Sequence, residues 1–192
     1  AQEGSSARTI VVGDQIAATV TAKTLTDVEA ALGQTRRVPV RLDTPDSSGN
    51  GYPAISTNNG FSNVRRIVPA FTKDVDGTWE GAVEIPQDYA SGGAIIISLV
   101  ANATSGVFRS LVSTAVVADG VTEDTAYTAE TAVDTTVPAT ALLRKDVSTT
   151  LTTTPAKGST LNVKISHAGT HANDTLAVDC LLWGCHFSYV SV

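Results

Sequence analysis

Apolar side chains recur at every second position along much of this chain, in runs short enough to be single strands. Trp79, Gly81, Val83 and Ile85 alternate with Thr78, Glu80, Ala82 and Glu84, so one side of the run is apolar and the other largely acidic. That is the pattern of a strand with one face on a core and the other in water. Leu161, Val163 and Ile165 alternate in the same way with Asn162, Lys164 and Ser166. Val38, Val40 and Leu42 alternate with Pro39 and Arg41, and the proline confines this strand to an edge or a strand end. The continuous run Ala94 to Val100 fits a central strand covered on both faces. Val107 to Val117 predicts a strand with Phe108, Val112 and Val116 on one face. Further strands are predicted at Val64 to Phe71, at Val137, Ala139, Ala141 and Leu143, and from Leu176 to Val190, with Gly184 as a bulge or bend.

Turn residues separate these runs. Asp74-Val75-Asp76-Gly77, Tyr89 to Gly93, Ser105-Gly106, Thr152 to Gly158 and His167 to Asn173 read as turns or loops. Two connections are longer, Asp43 to Gly60 and Asp119 to Asp134. About eight strands from residue 38 onward, joined by turns and two long crossings, predict an antiparallel β-sandwich with Greek-key or jelly-roll connections. Ahead of them, Ala1 to Arg8 reads as an extended polar arm and Thr9 to Lys23 as weakly alternating extended chain. Thr26 and Glu29 form a capping box before Val28, Ala31 and Leu32, and Gly33 is a stop, which predicts one short helix. The whole, residues 1–192, reads as one domain.

Composition narrows the function classes. The chain is 42% hydrophobic and 17% charged, a globular balance. Its formal net charge is −6, and the dipeptides Arg36-Arg37 and Arg65-Arg66 stand apart, which argues against nucleic-acid binding. No window reaches the ~20 apolar residues of a membrane helix. The sequence contains no Met, and removal of an initiator Met before Ala1 is the expected origin of its start. Cys180 and Cys185 fall in one strand at an odd offset, which predicts opposite faces about 17 Å apart. Free thiols, and assembly in a reducing cytoplasm, are the expectation.

Candidate chemistry is sparse. His167 and His171 have zinc-like spacing, with Cys180, Cys185 and His186 nearby in sequence. The histidines lie in a Gly-containing loop, and Cys185 and His186 are adjacent and so point to opposite faces. The expected reading is a polar loop plus buried thiols, with no metal residues. A Cys-His nucleophile would need an accessible, acidified thiol, whereas these cysteines lie in the most apolar run. Asp43, Asp46, Asn50, Asp74 and Asp76 match no calcium loop and read as turn residues. Glu80 and Glu84 share a strand face and read as solvated rather than as a glycosidase pair. Trp79 reads as core and Trp183 as part of the last strand, which leaves Tyr52 as the one candidate sugar platform. No catalytic, cofactor-binding or metal-ligating residues are predicted, and the chain is expected not to be an enzyme.

Trp79-Glu-Gly-Ala-Val-Glu-Ile-Pro-Gln-Asp-Tyr89, Gly92-Gly93, the Ile95 to Val100 run and the Ser105-Gly106 turn resemble a pattern in structural proteins of tailed bacteriophages. So do Leu161-Asn-Val-Lys-Ile165, Asp174-Thr-Leu and the Gly-containing strand that closes on Tyr189. The resemblance covers roughly residues 78–190 and consists of strands and turns without a chemical signature. It implies a jelly-roll-like sandwich serving as a capsid cement or decoration protein, or as a head-fibre module. The implied partners are the major capsid protein and copies of the chain itself, as a trimer or dimer. The implied location is the virion surface, with no cofactor, nucleic acid or membrane. The alternative is a receptor- or glycan-binding fibre or spike module working through Tyr52 and the loop from Asp43 to Gly60. An enzyme such as a depolymerase is a third reading.

Overall fold

The computed structural model describes residues 33–45, 55–56, 61 and 68–192. Among the described residues the elements are all strands: β1 (Gln34–Pro39), β2 (Arg41–Pro45), β3 (Ile55–Ser56), β4 (Val68–Phe71), β5 (Gly77–Glu84), β6 (Tyr89–Ala101), β7 (Val107–Val117), β8 (Thr131–Thr136), β9 (Arg144–Thr150), β10 (Thr160–His167) and β11 (Cys180–Ser191). The arm at residues 1–8, the extended stretch at 9–23, the short helix ending at Gly33 and Tyr52 lie outside them.

The strands form two antiparallel sheets. One runs β3-β4-β11-β6-β9, with β1 also on β11, and the other runs β2-β5-β10-β7-β8. From β4 onward the chain changes sheet at almost every connection, leaving β4-β11-β6-β9 facing β5-β10-β7-β8. That double Greek key is the jelly roll, so the sandwich expected from the strand spacing is the observed architecture. β1 and β2 add one strand to each sheet, and the chain crosses between them at buried Val40, whose N–H donates to the Cys185 carbonyl at 2.9 Å.

The alternating residues build the core. Trp79 from β5, Leu161, Val163 and Ile165 from β10, Phe108 and Val112 from β7, and Ile95, Ile97 and Leu99 from β6 meet in one cluster. Phe108, Leu161, Val163, Ile165 and Phe187 are wholly excluded from solvent. Each buried aliphatic or aromatic side chain of this kind contributes about 1.5–3 kcal/mol. β6 is also buried on its outer side. Ile96 and Ser98 are covered, and Val100 joins Val68, Ala70 and Leu181 in a satellite cluster under Phe61, Leu142 and Trp183. A run apolar at every position is therefore what this central strand needs.

Four expectations change. Tyr89 to Gly93 is not a loop but the start of β6, paired across to β11. The stretch 137–143 is not a strand, because Pro138 interrupts it and Leu142 takes a left-handed backbone with φ 64°. It is the connection between β8 and β9, and β8 occupies the end of what reads as a loop at 119–134. Finally, Cys180 and Cys185 share the core side. The β11–β6 register shifts between Leu182 and Gly184, and this bulge at the predicted position inserts one residue and reverses the parity.

Candidate functional site

Among the described residues, a buried cluster of chemistry-bearing side chains sits where β10 leaves the sandwich. His167 ends β10, and its imidazole stacks on Phe108 at 4.5 Å and 14° and lies 5.7 Å from Phe71. Its Nε2 is 3.0 Å from Asp174 Oδ2, and the two side chains are only 2% and 1% exposed. The same carboxylate oxygen accepts the Arg109 backbone N–H at 2.7 Å. The Thr175 hydroxyl accepts the Val107 N–H at 3.0 Å, and the Thr175 N–H donates to the Val107 carbonyl at 2.9 Å. Residues 168–176 are thereby strapped along the start of β7. Gly169 is required in this strap, since a Cβ there would press on Val75 backbone and the His167 ring.

The strap ties in two further connections. Asp76, beside β5, accepts the Thr170 N–H at 3.0 Å and the Thr170 hydroxyl at 3.1 Å. Asp134 on β8 accepts from Arg109 at 2.6 Å and from Asn173 Nδ2 at 2.8 Å. The Asn173 hydrogen bond, then the Arg109 contact, hold the Asp134 carboxyl below the usual carboxylate range, against an opposing effect of desolvation. The arrangement fastens loops. Among the described residues, His167 Nδ1 is buried without a hydrogen-bond partner.

The residues singled out from sequence do not converge. His171 lies on the exposed strap, where its Nδ1 accepts the Asn173 N–H at 3.1 Å. Cys180 and Cys185 are buried, free thiols in the core, and His186 projects from the opposite side of β11. Burial pushes Cys185 up to about 12 and raises Cys180 further, so neither forms thiolate at neutral pH. Among the described residues no group of three His, Cys, Asp or Glu is placed to hold a metal ion. Glu80 and Glu84 lie on the outer side of β5, Trp79 is core, and Trp183 packs on Phe61 at 5.1 Å between ring centres. Asp174 is the functional-looking residue that sequence reading passed over. Its signal was its place seven residues after His167, which only the return of the strap brings into contact.

The remaining feature is the contrast between the two flanks. On one flank, β1 is fixed by Arg36 to Asp88 at 2.8 Å, and Tyr189 OH donates to the same Asp88 at 2.9 Å. Neighbouring β2 presses so closely on β5 that a Cβ at Gly81 would run into the Arg41 carbonyl. On the other flank, β8 and β9 end their sheets side by side. Between them runs a narrow cleft lined by Ser113, Thr128, Thr131, Thr149 and Thr152.

No family model matches the chain, and no curated protein matches it. Among solved structures, it is similar to an exo-β-1,3-galactanase from Phanerochaete chrysosporium bound to galactose, at 12% identity and a TM-score of 0.42. That match covers 81% of this chain and 29% of the galactanase, so this chain spans under a third of that protein's length. The carbohydrate-binding module TmCBM61, in complex with β-1,4-galactotriose, is similar at 13% identity over 81% of this chain and 86% of the module, with a TM-score of 0.36. The enzymatically active domain of bacteriophage CBA120 tailspike protein 4 is similar at 5% identity over 82% of this chain and 19% of that one, with a TM-score of 0.35. All three TM-scores lie below 0.5, and the likenesses assign this chain neither a family nor an activity.

Proposed function

We propose that this chain is a virion structural protein of a tailed bacteriophage, a cement or decoration protein that stabilises the head. Its partners are the major capsid protein and its own copies. One observation carries the reading. The jelly roll spends its cysteines and His167 on packing and fastening, and leaves regular polar strand faces and an open flank outward. Such a body suits repeated lateral contacts, where many weak contacts sum through multivalency. The net charge of −6 suits an outer, protein-facing layer better than contact with packaged DNA.

The glycan-binding alternative rests on Tyr52 and the loop from Asp43 to Gly60, and Tyr52 lies outside the described residues. Among the described residues no Trp or Tyr is exposed: Trp79, Tyr89 and Tyr189 are buried, and Tyr127 and Trp183 are mostly so. The deciding experiment is composition analysis of purified particles, paired with heating of particles made without the protein. The proposal expects a fixed stoichiometry in the particle and earlier release of DNA from particles that lack it. Protein recovered only from infected-cell lysate overturns it.

A further inference from the structure

Among the described residues, the edge strands β1, β2, β8 and β9 differ in how their outer backbone is finished. β1 carries Arg36 and Arg37 and ends at Pro39, and β2 is broken by a register shift between Leu42 and Thr44 and ends at Pro45. Prolines, charges and irregularities of this kind keep an edge from recruiting another strand. β8 has Asp134 at mid-strand, held by Arg109 and Asn173. β8 and β9 both lack proline and bulge, and β9, with Arg144, Lys145 and Asp146 at its start and an uncharged second half, is the longer of the two. All seven of its residues pair with β6 in unbroken register, from Arg144 opposite Val100 to Thr150 opposite Ala94.

The hydrogen-bond parity of β9 follows from its end. The Leu151 N–H donates to the Gly93 carbonyl at 2.8 Å, one step beyond the Thr150–Ala94 pair. In an antiparallel ladder, alternate residues bond the same neighbour. Val147 and Thr149 therefore bond toward β6, while Arg144, Asp146, Ser148 and Thr150 turn their N–H and C=O groups outward.

We propose that β9 pairs antiparallel with β9 of a second copy of this chain, about a two-fold axis at Val147. This deepens the cement reading, in which copies contact one another, and rests on it. The register places Arg144 opposite the second copy's Thr150, and Asp146 opposite its Ser148, using the outward groups of the whole strand. No like charges stand directly opposite. Moving the axis one residue toward the N-terminus sets Asp146 against Asp146, and moving it further also shortens the overlap. Asp146 is already paired within its own chain with Arg144 at 3.3 Å and Arg37 at 3.7 Å, and it accepts the Ser98 hydroxyl at 2.7 Å. A contact between identical strands is self-complementary and closes at two. The threonine-lined cleft beside β9 adds hydroxyls for the rim, among them those of exposed Thr150 and Thr152. Bridging water at such a rim is ordinary.

Sedimentation velocity on the purified full chain, from micromolar to hundreds of micromolar, tests the pairing with three variants. Wild type should show a reversible monomer–dimer equilibrium. Ser148→Pro removes only an outward N–H and should sediment as a monomer. Ser148→Glu faces Asp146 of the second copy and should weaken the dimer about tenfold, whereas Ser148→Lys should tighten it by a few-fold. Should Ser148→Pro fail to fold, the opposed responses of the Glu and Lys variants still decide. A wild type that is monomeric throughout, or an oligomer indifferent to all three changes, overturns the proposal. Particle composition is measured separately. A monomer present in virions sinks the pairing and leaves the cement role, and a dimer absent from virions does the reverse.

Discussion

The two flanks of this sandwich are built from the same kind of strand but finished in opposite ways. On the β1/β2 flank the chain crosses between sheets at Val40, Gly81 gives up its side chain so that β2 can seat, and Arg36 and Tyr189 converge on Asp88. On the β8/β9 flank no described strand covers the two edges, which lie beside a cleft rich in hydroxyls. The difference teaches where contact is discouraged and where it is permitted. A closed flank invests in internal fastening, and a regular edge leaves backbone groups able to pair with another strand.

The largest effect should come from the fastened flank. Gly81→Ala forces a Cβ into the Arg41 carbonyl, and β2 must shift or detach; we expect a loss of about 2–4 kcal/mol in a denaturant melt. The strap that joins the flanks should come next. Asp174→Ala leaves His167 Nε2 and the Arg109 N–H unpaired in a buried site, for about 2–3 kcal/mol, with faster hydrogen exchange over residues 168–176. On the open flank, Ser148→Pro should change monomer stability by under about 0.5 kcal/mol while abolishing self-association, so a large stability loss would erase the contrast.

The smallest effects are electrostatic. Arg36→Ala removes a pair whose side chains are 54% and 30% exposed, and surface pairs of this kind contribute about 0.2–1 kcal/mol before screening. Asp134 has a folded-state carboxyl held low, so it stabilises at pH above the ordinary value of 3.8, and that contribution is lost as pH falls through its lowered value. Acid titration should therefore loosen the β8 end of the strap, and Asp134→Asn should remove that part of the acid dependence. The NMR signals of Asn173 report it directly.

Most of the sandwich was legible because its inner strands obey a simple rule. β5 and β10 show strict alternation, and β6 is apolar throughout because both of its faces are covered. β8 and β9 escaped that rule. Their inward positions include Thr135 and Thr149, buried hydroxyls where an apolar residue would have marked the pattern. The apolar run from Val137 to Leu143 took their place in the reading, although Pro138 and the left-handed Leu142 make it a crossover. Gly184 signalled a bulge correctly, but a bulge also resets parity, and that placed both cysteines inside. The site was less legible. His167 stood out by its spacing to His171, whereas its physical partner is Asp174, chosen by a strap whose path depends on contacts with Val75, Asp76 and Arg109 far away in sequence.

A density map of the intact particle decides whether this chain is part of the head. Sandwich-shaped density is expected on the outer surface of the head, repeating with the capsid lattice and touching capsid subunits, with its β9 flank against a second copy. A capsid lattice fully accounted for without this chain would contradict the cement role.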